Sequence, residues 1–164
     1  MGNVQHGKWS ARLEGDFVVF IIGTRPDPLH PVRWWNDIGG MRGMLYMLRY
    51  LSKHPEKGML GYHFFGLTIV QYWRSFEHLE NFAADSNDPH APAMRQYWKR
   101  VGQSSRSGIW HETFLVRAGE YEAVYGNMPP TGLGMVGELV PAGDSSARGR
   151  LRRVSEKSRR DVSS

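Results

Sequence analysis

The sequence predicts an α+β protein with the ferredoxin-like split βαβ fold, built on an antiparallel sheet. Short apolar runs typical of buried strands alternate with segments whose apolar residues recur every three or four positions, as on one face of a helix. Their order is strand, helix, strand, strand, helix, strand, with a strand-like extension. Residues 67–73 (LTIVQYW) are β-branched and aromatic, as in a strand, and an amphipathic helix over 75–85 follows directly. The predicted strand and helix therefore meet at Arg74 and Ser75.

The first half of this pattern is one strand and one long helix. Residues 16–23 (DFVVFIIG) form a continuous apolar run, and two prolines shortly afterwards prevent the strand from continuing. Apolar residues on one face then predict a single helix over 32–53. Gly39, Gly40 and Gly43 weaken this helix by about 1 kcal/mol each relative to alanine, which indicates close approach to a neighbouring element or to a ligand.

The second half supplies the remaining strands. The predicted elements are strands over 59–65, 67–73 and 108–116, helices over 75–85 and 91–101, and a β extension over 121–126. The strands are apolar or aromatic on both sides, so helices on one face leave the other face uncovered. A second copy of the sheet is the simplest cover. We therefore expect a homodimer in which two sheets pack into a dimeric α+β barrel.

Length and composition fit a single globular domain. The 164 residues, 40% of them apolar, include no uncharged apolar run long enough to cross a membrane. The polar first 16 residues lack the apolar segment of a signal peptide, so we expect a cytoplasmic protein without a membrane partner. The absence of cysteine excludes disulfides, thiolate zinc sites, iron–sulfur clusters and a thiol nucleophile.

The net charge of +5 is concentrated at the C-terminus. Residues 145–164 hold seven Arg or Lys and two acidic residues, whereas residues 1–144 hold fourteen of each kind. We therefore divide the chain into a barrel domain over 1–143 and a basic, disordered tail over 144–164. Such a tail attracts phosphate non-specifically, but the body has no zinc-finger or RNA-binding motif, so no specific nucleic-acid partner is predicted.

Six stretches fall in order between about residues 10 and 140. They read FVVFIIGTRP, GMLGYHFFG, QYWRSFEHLENFA, HAPAMRQYWKRV, GIWHETFLV and GEYEAVYGNMPPTGLG. As a set they resemble successive motifs of a family of uncharacterised monooxygenase-like proteins, whose members include one from a fungal terpenoid pathway. The wider group that the chain resembles is the antibiotic-biosynthesis monooxygenase superfamily of dimeric α+β barrels. It includes enzymes without a cofactor, haem-degrading enzymes and proteins with no demonstrated chemistry, so the resemblance leaves the reaction open.

His111, in the stretch IWHET on the fourth strand of the predicted sheet, is the first candidate for catalysis. A buried imidazole among aromatic residues is held in its neutral, proton-accepting form. Such a base can remove the proton of a phenol or enol, and the resulting anion can pass an electron to O₂ without metal or flavin. The alternative is a structural role, in which His111 bonds a backbone group or pairs with Glu112 of a neighbouring chain.

His90 is the second catalytic candidate, because haem-degrading relatives in the superfamily carry an axial histidine shortly after the equivalent helix. The spacing differs here, and a histidine at a helix start is commonly a cap or a surface residue. We therefore expect no cofactor and keep haem, bound through His90, as the alternative. No other metal site is predicted, because His63 and His111 have neither a third ligand nor an HxH or HExxH spacing.

Aromatic residues near strand ends are candidates for substrate binding. Trp73, Trp110 and Tyr125 can together line a pocket for a flat hydrophobic molecule. The alternative for each of them is ordinary packing in the core or the dimer interface.

Four polar residues complete the predicted substrate contacts. Arg25 and Arg74 lie at strand ends, where a guanidinium can hold a carboxylate or enolate, or form an ion pair with a nearby glutamate. Asn127 can donate to a developing oxyanion or shape the turn before two prolines. Glu112, next to His111, is the fourth polar residue predicted to contact the substrate.

Three functions from different classes are consistent with these observations. The first is a small monooxygenase-like enzyme that oxidises or otherwise tailors a hydrophobic phenolic, enolic or terpenoid-like metabolite in an aromatic pocket. The second is a haem-binding or haem-dependent enzyme. The third is a dimer that binds a ligand without catalysis.

Overall fold

The computed structural model describes residues 3–102, 107–142, 151, 155 and 156. Within them the strands and helices are β1 (Gln5–Arg12), β2 (Phe17–Arg25), α1 (Pro31–Asp37), α2 (Met44–Lys53), β3 (Met59–Phe65), β4 (Thr68–Trp73), α3 (Phe76–Ala84), α4 (His90–Val101), β5 (Gly108–Val116), β6 (Tyr125–Met128) and β7 (Glu138–Pro141). Short 3-10 turns lie at Gly40–Arg42, Pro55–Lys57 and Gly132–Met135. The chain divides into two compact units: the central unit, Val18–Phe114, and the terminal unit, Met1–Phe17 with Leu115–Ser164.

The central unit contains a four-stranded sheet in the order β3-β4-β2-β5. Strand β4 runs antiparallel to both β2 and β3, with Ile69 paired to Ile22 on one side and to Phe64 on the other. Strands β2 and β3 are joined through α1 and α2, and β4 is inserted between them, which is the split βαβ arrangement. The predicted α+β, ferredoxin-like fold with an antiparallel sheet is therefore confirmed.

The core of the central unit lies between the sheet and its helices. Leu48 and Leu51 from α2 and Phe82 from α3 are buried in one cluster with Val18 and Trp73 from the sheet. The buried residues of α2 recur at three- and four-residue spacing, so the helix presents one apolar face to the sheet. Shortening a buried leucine such as Leu48 to alanine is expected to cost about 2–5 kcal/mol of stability.

The long helix predicted over 32–53 is wrong, because the chain forms α1 and α2 with a tight turn between them. We call this segment, residues 39–43, the glycine turn. Gly39 and Gly40 have positive φ angles of 90° and 52°, which a right-handed helix does not contain. The glycines therefore end one helix and redirect the chain into the next, instead of only weakening a continuous helix.

A serine cap fixes the start of α3. The Ser75 hydroxyl accepts a hydrogen bond from the backbone N–H of His78 at 3.3 Å, which satisfies a donor that the first helical turn leaves open. The ring of His78 lies against Gly58, where it leaves no room for a side chain. The junction predicted at Arg74 and Ser75 is thus confirmed, with α3 held against the turn that precedes β3.

The terminal unit contains a three-stranded antiparallel sheet in the order β6-β1-β7. The predictions lack β1 and β7, because β1 is mostly polar and β7 is only four residues long and ends in proline. The predicted extension over 121–126 is correct only for its last two residues, where β6 begins. Tyr121 instead packs edge-on against Phe17 at 5.2 Å between ring centroids, and its hydroxyl accepts from the Leu13 N–H at 2.6 Å.

The basic tail predicted over 144–164 lies outside the described residues, apart from Leu151, Ser155 and Glu156. Its disorder and the domain boundary at 143 stay predictions. In the part of the chain that the structure describes, no helix has both the length and the apolar character needed to cross a membrane.

Candidate functional site

A cavity of about 450 Å³ lies between the sheet and the helices of the central unit. Ile22, Ile69 and Ile109 line it from three different strands, and further lining residues come from α1, the glycine turn, α2, α4, the end of β3 and the turn between β3 and β4. A cavity of this volume, lined mostly by apolar side chains, suits a small organic molecule.

Two tryptophans of α1 form an aromatic wall of the cavity. The indole N–H of Trp34 donates to the hydroxyl of Thr24 at 3.1 Å, and that hydroxyl donates to the carbonyl oxygen of Gly108 at 3.0 Å. This chain of bonds ties α1 to β2 and β5, and it satisfies the polar edge of Trp34. Trp35 packs against Gly40, where an added Cβ would lie only 3.1 Å from the indole nitrogen.

Tyr97, from α4, is a buried cavity-lining residue and the centre of a polar cluster that we define as Asp37, Tyr97, Arg100 and Ser107. Burial raises the pKa of the Tyr97 phenol above its ordinary value of 10.0. A hydrogen bond with Ser107 and the positive charge of Arg25 each act to lower this pKa. The negative charge of Asp37 acts to raise it. The phenol therefore stays protonated at neutral pH. Because the Ser107 proton goes to Asp37, the Tyr97 O–H donates to the Ser107 oxygen in this arrangement.

Asp37 and Ser107 position Tyr97 without lining the cavity themselves. The Ser107 hydroxyl donates to the Asp37 carboxylate, with 3.3 Å between Oγ and Oδ2, and both residues are buried. Ser107 also bonds the Tyr97 phenol. Asp37, the last residue of α1, and Ser107, the residue before β5, thus contact each other next to the Tyr97 side chain of α4.

Arg100, three residues after Tyr97 on α4, brings a guanidinium to the cavity. One of its nitrogens donates to the backbone carbonyl oxygen of Asp37 at 3.1 Å, and another donates to the side-chain oxygen of Gln96 at 3.4 Å. Arg42, from the glycine turn, also lines the cavity. The charged side chains among the described lining residues are therefore cationic, and no carboxylate is among them.

The predicted site residues of β5 lie near the cavity but do not line it. Ile109 lines the cavity, and His111, two residues further on, lies on the same face of the strand. The ring centroid of His111 is 5.3 Å from that of Phe20. Trp110 and Glu112 project from the opposite face and are exposed. The buried surroundings predicted for His111 are not observed, because β5 is an edge strand and its side chains from 110 to 115 are exposed.

His90 begins α4, on the helix face that carries the cavity-lining residues Ala93, Met94 and Tyr97. Its Nδ1 lies 3.0 Å from the carbonyl oxygen of Ala83. With the proton on Nδ1, this contact is a hydrogen bond and Nε2 carries the lone pair. Within the described part of the chain, no group of three or more His, Cys, Asp or Glu side chains is arranged to hold a metal ion.

Trp73 and Arg74 lie away from the cavity lining. The Trp73 side chain is fully buried in the core, and its indole N–H donates to the side-chain oxygen of Gln71 at 2.9 Å. Arg74 is exposed, and its backbone N–H donates to the carbonyl oxygen of Gly58 at 2.8 Å. The structure therefore places neither side chain where a molecule in the cavity would touch it.

Arg25, by contrast, comes close to the polar cluster. It ends β2 next to Gly108, where an added Cβ would lie 3.4 Å from the Arg25 Nε. Its positive charge reaches Tyr97, as the effect on the pKa of that phenol shows. Of the two arginines predicted to bind an anion, Arg25 is the one that the structure brings toward the cavity.

Tyr125 and Asn127 belong to the terminal unit. The Tyr125 hydroxyl accepts a hydrogen bond from the Gly134 N–H at 2.9 Å, and burial raises the pKa of the Tyr125 phenol. The side-chain oxygen of Asn127 accepts from the Gly7 N–H at 2.9 Å, and its φ of 51° is a left-handed conformation that asparagine tolerates. Both residues make structural contacts within this unit, and their predicted substrate contacts stay predictions.

Trp34, Trp35, Tyr97 and Arg100 are cavity-lining residues that the sequence-based predictions lack. Two signals in the sequence point to them. The tryptophan pair lies directly before the cluster of glycines, which already indicates close approach to an element or a ligand. Tyr97 and Arg100 follow His90 at helical spacing, so all three lie along one side of α4.

Fold and cavity together define a class of protein, an α+β chain of ferredoxin-like topology that encloses a small, mostly apolar cavity against its sheet. Residues 17–133 match the monooxygenase af470-like family. Because the match covers more than half of the chain, the protein belongs to that family. This membership confirms the resemblance to monooxygenase-like proteins that the six sequence motifs indicate.

A larger protein of known structure shares the fold. A crystal structure of an aldoxime dehydratase in complex with butyraldoxime aligns with a TM-score of 0.59 and 14% sequence identity, over 84% of this chain and 44% of the dehydratase. At that identity the likeness concerns the fold alone, and this chain spans less than half the length of the dehydratase. No curated protein matches the chain.

Proposed function

We propose that this protein is a small monooxygenase-like enzyme that binds a hydrophobic phenolic or enolic metabolite in the cavity of the central unit and oxidises it with O₂. The cavity carries the proposal, because apolar and aromatic side chains enclose about 450 Å³ beside the buried, protonated phenol of Tyr97. Membership of the monooxygenase af470-like family supports the reaction class.

Such a reaction needs no cofactor when the substrate can ionise. The anion of a phenol or enol gives electrons to O₂, and one oxygen atom then forms a bond to a substrate carbon. A ring C–H carbon becomes a C=O group in the oxidised product. The second oxygen atom leaves as water, with two hydrogens from the substrate. The protein has to bind and orient the substrate and to stabilise charge.

The polar cluster supplies these roles. Because burial raises the pKa of Tyr97, its phenol does not act as a base. When its O–H turns from Ser107 toward the bound substrate, the phenol acts as a hydrogen-bond and proton donor to the reduced oxygen. The guanidinium of Arg100 stabilises negative charge on the substrate. Asp37 and Ser107 hold Tyr97 in place. His111 stays the predicted base for substrates that are not already ionised.

Oxygen consumption tests the proposal. Purified protein is given a panel of hydrophobic phenols and enols, with isotopically labelled O₂ and mass analysis of the products. We expect O₂ uptake with incorporation of one labelled atom, and a decrease of about a hundredfold in Tyr97→Phe. Tyr46→Phe, an exposed tyrosine outside the cavity lining, is the matched control and should keep the wild-type rate. No uptake by wild type with any substrate would refute a cofactor-free oxygenase and leave the haem protein and the ligand-binding dimer as candidates.

A cavity-filling variant separates binding from chemistry. Ile109→Trp enlarges a cavity-lining side chain on β5, and Leu115→Trp makes the same type of change on that strand at a position 70% exposed. We expect Ile109→Trp to abolish substrate binding in calorimetric titration and Leu115→Trp to leave it unchanged. Equal affinities in both variants would place the substrate elsewhere.

The second candidate is a haem protein, and one contact of His90 favours it. Histidines that ligate metals usually donate their other ring nitrogen to a carbonyl or carboxylate oxygen, as the Nδ1 contact of His90 with Ala83 permits. His90 would then hold the iron through Nε2, next to the helix face that lines the cavity. Bound haem would supply iron for redox chemistry with O₂.

Titration with hemin tests this candidate by a spectroscopic readout that is independent of activity. A Soret band that shifts on addition of wild-type protein, and that is lost in His90→Ala but kept in His30→Ala, would support it. His30 is an exposed histidine away from the cavity lining, so it controls for surface binding. Spectra that are identical for wild type and His90→Ala would refute axial ligation by His90.

The proposed enzyme is a homodimer, in which the face of the sheet opposite the helices, here called the open sheet face, is covered by a second copy. Ile21 and Val70 pair across its centre, and Phe65 and Trp110 lie on its two edge strands with 50% and 44% of their surface exposed. An apolar sheet face of this kind needs a cover in water. Symmetry allows the same face of another chain to provide it.

A further inference from the structure

We infer that the ligand of the cavity is an amphipathic organic anion: an apolar body with a carboxylate, or an equally acidic enol or phenol, whose charged group is bound by the guanidinium of Arg100. The inference rests on the proposed function for the assignment of the cavity as the binding site. It adds the chemical class of the substrate.

The first step is the charge of the cavity. Arg42 and Arg100 line it, and no carboxylate is among the described lining residues. Asp37, the acidic member of the polar cluster, accepts from the Ser107 hydroxyl with its Oδ2 and does not line the cavity. Near Tyr97, the positive charge of Arg25 opposes the negative charge of Asp37, which acts more strongly on that phenol, so the two lining arginines carry the argument. The electrostatic field at this end of the cavity therefore favours an anion.

The second step is the orientation of Arg100, an exposed residue whose guanidinium has two hydrogen-bond partners. Its guanidinium is held by bonds to the carbonyl oxygen of Asp37 at 3.1 Å and to Gln96 at 3.4 Å. The guanidinium lies next to Gly39 of the cavity lining, where an added Cβ would be 3.7 Å from an Arg100 nitrogen. A guanidinium that is already oriented loses little entropy when it binds, and its planar fork matches the two oxygens of a carboxylate.

The third step is the contrast with other ligands. A neutral apolar molecule in the cavity would offer the exposed guanidinium no acceptor and would gain nothing from its charge. A cationic molecule of the same shape would be repelled by Arg42 and Arg100. The aromatic wall of Trp34 and Trp35 then selects a flat, apolar body for the anion.

Three probes that share one carbon skeleton test the charge requirement: cinnamate, cinnamyl alcohol and cinnamylamine, which are an anion, a neutral molecule and a cation at neutral pH. Their binding to the full chain is measured by calorimetric titration. We expect cinnamate to bind at least about tenfold more tightly than cinnamyl alcohol, a factor consistent with one charge-assisted hydrogen bond. We expect cinnamylamine to bind most weakly.

Two matched variants locate the anion site. Arg100→Gln removes the charge that lines the cavity, and Arg95→Gln removes an exposed charge on the same helix that does not line it. Arg100→Gln should weaken cinnamate about tenfold and leave cinnamyl alcohol unchanged, whereas Arg95→Gln should alter neither. Circular dichroism confirms that both variants are folded, and Arg100→Lys keeps the charge if glutamine disturbs α4.

The outcomes separate this inference from the proposed function. Equal binding of cinnamate and cinnamyl alcohol, or cinnamate affinity that Arg100→Gln leaves unchanged, would overturn the anion site and leave the apolar cavity as a binding site. If Ile109→Trp also leaves the binding of all three probes unchanged, the cavity is not the site, and both proposals fail. Binding of none of the probes would overturn the anion site, whereas the proposed function is decided separately by O₂ uptake with phenols and enols.

Discussion

The hydroxyl oxygen of Ser107 lies 3.3 Å from a carboxylate oxygen of Asp37, and both residues are buried next to Tyr97. This contact joins the end of α1 to the start of β5. Ser107 also bonds the phenol of Tyr97, which lines the cavity. Catalysis in the proposed mechanism therefore depends on a pair of residues that need not touch the substrate.

Opposite changes in the pKa of Tyr97 are expected when the two members of this pair are replaced. Asp37→Asn removes a negative charge that raises the pKa of Tyr97, so the pKa should fall. Ser107→Ala removes a hydrogen bond that lowers it, so the pKa should rise. Alkaline titration of the phenolate absorbance, with the spectrum of Tyr97→Phe subtracted, measures both. Shifts in the same direction would contradict the arrangement.

The glycine turn is expected to be sensitive to a single methyl group. Gly39 has a φ of 90°, and the Cβ that Gly39→Ala adds would lie only 2.9 Å from the Cα of Gly43. The substitution should lower the free energy of unfolding by about 2–3 kcal/mol. Gly66→Ala is the control, because its φ of 61° is also positive but nothing lies within 4 Å of an added Cβ. Gly66→Ala should lower the free energy of unfolding by about 1 kcal/mol. Urea unfolding measures the difference, and equal losses would exclude a steric contribution at residue 39.

Alkaline pH is expected to weaken the bonds around Asp88. This buried carboxylate accepts hydrogen bonds from Lys57 and Tyr50, each at 2.8 Å. The bond to Asp88 raises the pKa of Lys57 and the pKa of Tyr50 in the folded state. Both groups therefore hold their protons more tightly when the protein is folded. Their contribution to stability is complete below about pH 10 and is lost as pH rises through the raised pKa values.

Asp88→Asn tests this linkage. Urea unfolding should show a lower stability than wild type at neutral pH, and a gap that narrows above about pH 10. Glu80→Gln, at an exposed position on α3, should follow the wild-type curve throughout. A gap that stays constant with pH would mean that Asp88 acts through packing and not through its charge.

The dimer prediction is tested by solution mass. Wild type should have twice the mass of one chain in light scattering. Phe65→Glu puts a charge on the open sheet face and should shift the protein to monomers, since burying an unpaired carboxylate in an interface is costly. Phe76→Glu changes an equally exposed phenylalanine on α3, 46% exposed against 50%, and should remain dimeric. A monomeric wild type would refute the prediction.

The strands and the short helices were predictable because their patterns are local. Strands β3 and β5 have the predicted bounds, 59–65 and 108–116, and α3 begins one residue after the predicted start. Side chains alternate along a strand and recur on a helix every three or four residues, so these patterns are visible in a short stretch of sequence. The motif set also indicated the family, to which the chain belongs.

The helix break and the cavity depended on tertiary structure. Glycine raises the free energy of a helix by only about 1 kcal/mol, so three glycines permit either a weak helix or a turn, and packing against neighbouring elements selects the turn. Strands β1 and β7 were not predictable in the same way, since their polar or short sequences form strands only when β1 pairs with its neighbours.

The order and type of the elements, and with them the fold and the family, are properties that the amino-acid pattern specifies. The site is a property of the folded chain. Thr24, Trp34 and Tyr97 come from a strand and two helices, and Tyr97 belongs to a different crossover segment from Trp34. Only the packing of both crossover segments on one sheet face brings the three around a common cavity. Contacts between distant elements have no local periodicity, which is why the predicted histidines lie beside the cavity while an unpredicted tyrosine and arginine line it.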